Sequence, residues 1–316
     1  PSKFFKICNA YGKVVDRKVD DMTKQEHSIH HIGASSIAIV VDSGADIPDE
    51  YLNEVQVVPV RYSFGNQQHI DRVTQSVSDF YRQMETDSNH PKTSQPTPGD
   101  FKKTYSFISS HYNSIISIHL SKLASGTYQS ALNASKKNRL KKIEVIDSAS
   151  ASVGLGLLAM YAVDLKQSGK SFKKIISMVN QKKKDIELYA IFDDLKYIVR
   201  GGRVPSKIKT IANLFRLRPV LGVKKGKLKP RGVLYGKSRV INKLAYFLST
   251  KIKSEPKYRL LVAHSNAKER GNKLMQTLIT QHPNIEESYL LELGGALGAH
   301  AGPNSLVVAF HPIDKL

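Results

Sequence analysis

The sequence predicts an α/β protein of two domains: a largely parallel sheet covered by helices, followed by a mixed α+β unit. Three observations carry this reading. Short β-branched runs alternate with helical segments through the first half of the chain, strand runs come in pairs after Gly169, and 316 residues are enough to bury two cores.

Residues 1–35 are polar, carry His27, His30 and His31, and show no sustained apolar period, so they are expected to be an N-terminal extension or linker. Ile37 to Val41 reads as a strand that runs into Asp42-Ser43-Gly44-Ala45-Asp46, a turn with helix-capping residues. Val55 to Tyr62 reads as the next strand and Ser76 to Thr86 as a helix. Ser114 to Leu120 is a buried strand feeding a helix at Ser125-Gly126-Thr127. Lys142 to Ile146 is another, closed by Asp147-Ser148 before a long apolar helix that ends near Leu165. This rhythm implies parallel strands joined by helical crossovers.

Beyond Gly169 a helix is expected over Phe172 to Lys183. Leu217 to Lys224 and Lys227 to Leu234, joined by Lys225-Gly226, read as a β-hairpin. Helices over Arg239 to Lys253 and Lys268 to Thr280 alternate with strands at Tyr258 to Ala263, Glu287 to Leu293 and Leu306 to Phe310. The expected domains are therefore 36–165 and 166–316.

Composition narrows the class. With 41% hydrophobic and 24% charged residues the chain is that of an ordinary globular protein, which excludes collagen-like, mucin-like and wholly disordered readings. One cysteine, Cys8, allows neither an internal disulfide nor a Cys-based zinc site, which points to a reducing, cytoplasmic setting. The longest apolar run, Val153 to Val163, is too short to cross a bilayer, and the opening residues lack the pattern of a signal peptide.

The net charge is +21, and fifteen Lys or Arg with no Asp or Glu lie between Gly201 and Lys253. Two readings of that block stay open: a docking face for an anionic partner or membrane headgroups, and scattered solvated lysines on a hairpin and a helix. A nucleic-acid-binding protein using this face is the alternative function, although no nucleic-acid motif accompanies the block.

No nucleophile elbow, Walker loop, His-Glu-x-x-His or Cys-x-x-Cys pattern is present. Gly154-Leu155-Gly156 imitates a dinucleotide fingerprint, but it lies inside the apolar helix, where packing explains its glycines more simply. The three N-terminal histidines read as incidental before they read as metal ligands.

Four loops are more informative: Asp42-Ser43-Gly44, Thr93 to Gly99, Ser125-Gly126-Thr127, and Gly294 to Pro303. Each alone is explained by helix capping and turn formation. Together, beside the apolar stretches Ile115 to Ile118 and Leu155 to Val163, they suggest a site that grips a small acidic head and buries an apolar body, as an amphipathic carboxylate requires. An enzyme using Asp42 and Ser43 in phosphoryl transfer is a further reading, one that lacks a phosphate cradle.

The order of Val41-Asp42-Ser43-Gly44-Ala45-Asp46, Thr93-Ser94-Gln95-Pro96-Thr97-Pro98-Gly99, Ser125-Gly126-Thr127-Tyr128-Gln129-Ser130-Ala131, Asp147-Ser148, Arg200-Gly201-Gly202-Arg203 and Gly298-Ala299-His300-Ala301-Gly302-Pro303 resembles the DegV family of bacterial fatty-acid-binding proteins, from about residue 36 to the C-terminus. The resemblance implies a two-domain fold that holds one long-chain fatty acid in an apolar slot between its domains. It also implies no enzymatic chemistry, no metal or cofactor, and presentation of the acid to a separate fatty acid kinase, whose acyl phosphate product feeds phospholipid synthesis. Carried over by motif, Thr93 and Ser94 with Ser125, Gly126 and Thr127 would hold the carboxylate. His300 would join them from the second domain, donating more strongly if protonated, and Arg203 would contact the kinase. The family's usual Gly-Pro-Gly-Ala run appears as Gly302-Pro303-Asn304-Ser305, and Lys122 stands beside the Ser125 loop.

Overall fold

A computed structural model describes residues 37–137, 142–203, 217–236 and 239–314. The extension 1–35 with its three histidines, and Lys207, Lys209, Arg216 and Lys237 of the basic block, lie outside the described residues.

Three sheets organise the molecule. The first is wholly parallel, with order β2 (Val55–Val58), β1 (Ile37–Asp42), β6 (Ser114–His119) and β7 (Lys142–Asp147). The second is six-stranded and mixed, in the order β10 (Lys227–Tyr235), β9 (Leu217–Lys224), β8 (Glu187–Ile191), β13 (Leu306–Pro312), β11 (Tyr258–His264) and β12 (Ile285–Glu292). A small antiparallel sheet pairs β3 (Arg61–Phe64) with β4 (Gln67–Ile70) and β5 (Lys92–Ser94).

Between the two larger sheets lies α5 (Ser152–Gln167), packed on β1 and β6 on one side and on β13, β11 and β8 on the other. A helix with sheets on two sides has no face left for water, which is why its sequence is apolar all round. Every residue from Ser152 to Val163 is buried. Strand alternation then builds separate cores on the two faces of each sheet. Ile37, Ile39 and Val41 face α5, while Ala38 and Val40 face α3 (Pro98–Ile108) and α4 (Thr127–Lys137). In the mixed sheet Leu188, Leu261 and Ala309 face α5, and Tyr189, Leu260 and Phe310 face α8 (Val240–Ser249) and α9 (Lys268–Gln281). The result is a helix–sheet–helix–sheet–helix stack, with α6 (Phe172–Lys182) beside α5 in the middle layer.

The run Val55 to Tyr62, expected as one strand, divides at Pro59: β2 stays in the parallel sheet and β3 leaves for the small one. Proline has no N–H to give a ladder, so the chain turns there. The small sheet, α2 (Val77–Thr86) and α10 (Gly295–Ala301) share an aromatic cluster of Tyr62, Phe64, Phe80 and Tyr81 with Ala299. That cluster holds β5, carrying Thr93, against α10, carrying His300. The short elements α1 (Asp49–Leu52) and α7 (Leu195–Arg200) complete the described fold.

The expected hairpin is present, with both turn residues, Lys225 and Gly226, at positive φ as a tight turn of this type requires. Its outer strand β10 is a sheet edge, and Lys227, Lys229, Pro230 and Arg231 with the register shift beside them guard that edge against pairing with another chain.

Candidate functional site

In the parallel sheet the chain passes from β1 outward to β2 on one side and returns to β6 on the other. The carboxyl ends of β1 and β6 therefore mark the switch point at which α/β sheets open a crevice. A cavity of about 730 Å³ opens there, within the range of roughly 300–1,000 Å³ usual for small-molecule sites. One wall comes from the loops after β6 and β7, a second from β8 (Leu188, Ala190) and the segment after it (Phe192), and a third from α10. The hairpin closes the fourth side with Val223, Gly226 and Leu228.

Polar groups gather where β5 meets α10. Thr93 Oγ1 and His300 Nε2 are 2.9 Å apart, joining residues 207 positions apart in the chain. His300 Nδ1 is buried with no hydrogen-bond partner among the described residues. Burial, helped by the positive neighbours Arg203 and His90, pushes the His300 pKa down to about 4. The imidazole is thus neutral at pH 7, so the stronger donation open to a protonated ring is not its resting contribution. A neutral ring still offers one N–H to an incoming oxygen.

Thr93, Ser94, Ser125, Arg203 and His300 all line this one cavity. Gly126 and Thr127 stand behind it. A Cβ on Gly126 would lie 2.2 Å from Gln95 Oε1, so only glycine lets the Gln95 amide lie across the loop. Thr127 is fully buried and its hydroxyl meets Ser125 Oγ at 2.8 Å, which orients the serine. Arg203 is exposed at the cavity's edge, its guanidinium bonded to the Gly201 carbonyl at 2.5 Å. Lys122 points elsewhere, toward Asp147 at 3.9 Å.

The Asp42-Ser43 loop uses its groups within the protein. Asp42 accepts from the Gly44 and Leu120 amides and contacts His119 Nδ1 at 3.0 Å, and Ser43 Oγ accepts from the Val60 amide. These bonds tie the ends of β1 and β6 together beneath the cavity and leave the phosphoryl-transfer reading without its residues. Asn304, where the family pattern has glycine, sits at φ +61°, a conformation asparagine tolerates better than most residues.

Sequence reasoning missed part of the wall. Ser121, Ser150 and Ser152 line the cavity, although none of them is among the residues expected to hold the ligand. The hairpin read as a basic surface, but between its lysines Val223 and Leu228 turn inward and Ser121 Oγ donates to the Gly226 carbonyl at 2.7 Å. Apolar residues alternating with lysine were the signal that could have found them. Among the described residues no cluster of metal-ligating side chains occurs, and no helix is long and apolar enough to cross a membrane.

Known proteins share this fold. A "Fatty acid-binding protein" of Thermotoga maritima is 27% identical over 286 residues, spanning 88% of this chain and 99% of that protein. Among solved structures, "DegV, a fatty acid binding protein from Bacillus subtilis" superposes with a TM-score of 0.81 at 27% identity, covering 89% of this chain and all of the other. A DegV family protein from Thermus thermophilus, described by its fatty acid binding, has the same fold, with a TM-score of 0.82 at 24% identity over 88% of this chain and all of that one. The family model described as "Uncharacterised protein, DegV family" matches residues 36–312, and the chain belongs to the DegV family.

Proposed function

We propose that this protein binds one long-chain fatty acid, its carboxylate at Thr93, Ser94, Ser125 and His300 and its tail in the apolar cavity beyond them. The observation that carries the reading is the Thr93–His300 pair at the polar corner of an otherwise largely apolar cavity. The relatives named for fatty acid binding support it. The halves 36–165 and 166–316 act as two lobes around the chain. A tail of about fifteen carbons, at ~0.8 kcal/mol per CH₂, contributes on the order of 12 kcal/mol before ordering costs, enough for micromolar or tighter binding. Mass spectrometry of a denaturing extract from the purified protein is expected to find a long-chain acid. Repeated absence of any acid, together with no uptake of added stearate, contradicts the reading.

In this account the protein is a cytoplasmic carrier with no chemistry of its own, and it hands the acid to a fatty acid kinase for phospholipid synthesis. Arg203, exposed at the cavity's edge, is the contact for that partner. Capture of a fatty acid kinase by the loaded protein, weakened in Arg203→Ala, supports this step; equal capture by both proteins removes Arg203 from it. The basic residues of the β9–β10 hairpin, Lys224, Lys225, Lys227 and Lys229, offer the anionic membrane surface a place to dock.

A further inference from the structure

Besides Ser125, three serines line the wall of the cavity formed by the loops after β6 and β7, and two of them are engaged. Ser121 Oγ donates to the Gly226 carbonyl at 2.7 Å, and Ser152 Oγ donates to Asp46 Oδ2 at 2.7 Å. The third, Ser150, is 6% exposed, and its hydroxyl has no hydrogen-bond partner among the described residues. Its backbone is held firmly: its N–H donates to Ser148 Oγ at 3.0 Å, and its carbonyl accepts from the Ser121 amide at 2.9 Å. Ser150 lines the cavity, and its hydroxyl lies over the first turn of α5, against the position where a Cβ on Gly154 would stand.

A hydroxyl buried without a partner costs about 1–3 kcal/mol, a cost recovered only when something in the cavity bonds to it. The setting also says what that something is. The cap of α5, Ala151, offers no side-chain acceptor, and no acidic residue lies in the helix's first turn, so this helix start favours an electron-rich atom nearby. Asp46, bonded through Ser152, already places a carboxylate at the same helix start. That carboxylate is already paired with Arg72 at 2.5 Å, and an uncharged oxygen near the helix start needs no further cation beside it.

Building on the fatty-acid reading, we propose that the cavity accepts long-chain acids bearing a hydroxyl on the chain, and that Ser150 is the residue that recognises this hydroxyl. Elsewhere along the apolar wall of Leu188, Ala190 and Phe192 a chain hydroxyl would lose its water and gain nothing, so recognition depends on its position.

The test titrates delipidated wild-type protein and Ser150→Ala with stearate, a positional series of hydroxystearates, and octadecanedioate. Stearate affinity in each protein is the reference against which every hydroxystearate is compared, so that a general effect of the substitution on the cavity wall cancels. One hydroxystearate is expected to bind wild type at least as tightly as stearate does, and to lose about five- to tenfold in Ser150→Ala. Other positional isomers bind weakly to both. If every isomer keeps the same affinity relative to stearate in the two proteins, the proposal is overturned. A preference for the dioate that Ser150→Ala abolishes makes the site one for anions and equally overturns it. Failure of plain stearate to bind either protein is a separate result, and it sinks the fatty-acid reading itself.

Discussion

The pairing of Thr93 with His300 puts a neutral imidazole at the polar corner of the cavity, where the proposed head group would find two partners. His300→Ala and Thr93→Val are each expected to weaken stearate binding by about 1–3 kcal/mol, the cost of leaving a buried charged group short of a partner. Calorimetric titration measures this, and unchanged affinity in both variants would remove the head-group assignment. A second residue-scale expectation concerns acid. Burial pushes His300 down to about 4 and His311 to about 3, so below about 6.5 the unfolded chain takes up protons that the folded chain refuses, and stability falls with pH. Asp71 works in the opposite direction: burial, only partly offset by Arg72, raises its carboxyl to about 6, so the folded chain takes up that proton first and gains stability as pH falls toward 3.8. Asp71→Asn removes the opposing contribution. The variant, neutral at every pH, is expected to be more stable than wild type at pH 7 and to match it near pH 4, as chemical denaturation at both pH values measures, and no gain at pH 7 would contradict the assignment.

Among the elements, α5 is the one on which the others are assembled, and its sequence shows this directly: an apolar run with no polar face suits only a helix buried on all sides. The two glycines that imitate a nucleotide motif are packing positions. A Cβ on Gly156 would sit 2.1 Å from the Asp46 carbonyl oxygen, a backbone atom that cannot swing aside. Gly156→Ala is therefore expected to destabilise the fold by about 1–3 kcal/mol, read from chemical denaturation, with a loss well under 1 kcal/mol counting against this packing. Other elements were harder to read. The strand β5 is only three residues long, α10 is rich in glycine, and neither carries a period by which to recognise it. They are specified by their neighbours, through the aromatic cluster that presses α10 against the small sheet. The hairpin was legible as a hairpin because Lys225-Gly226 suits a tight turn, but its role as a cavity wall depends on a contact with Ser121 that is distant in sequence.

For the molecule as a whole, motifs spread from Thr93 to His300 converge on one cavity, and no local property of the sequence required that. Order along the chain picked out the candidate residues, while three-dimensional packing decides which of them line the cavity and which, like Gly126 and Thr127, stand behind it. A ligand buried between the two large sheets stabilises the folded state by mass action, by about 2.7 kcal/mol when present at a hundred times its dissociation constant. Delipidated protein is accordingly expected to melt at a lower temperature than protein reloaded with stearate, and identical melting curves would argue against burial of the chain. The most direct test is a crystal structure with an acid carrying bromine on its terminal carbon. The account predicts the carboxylate within hydrogen-bonding distance of Thr93 and His300, with the anomalous bromine peak buried against the apolar wall. A bromine at the protein surface, or a carboxylate bound away from that pair, would contradict it.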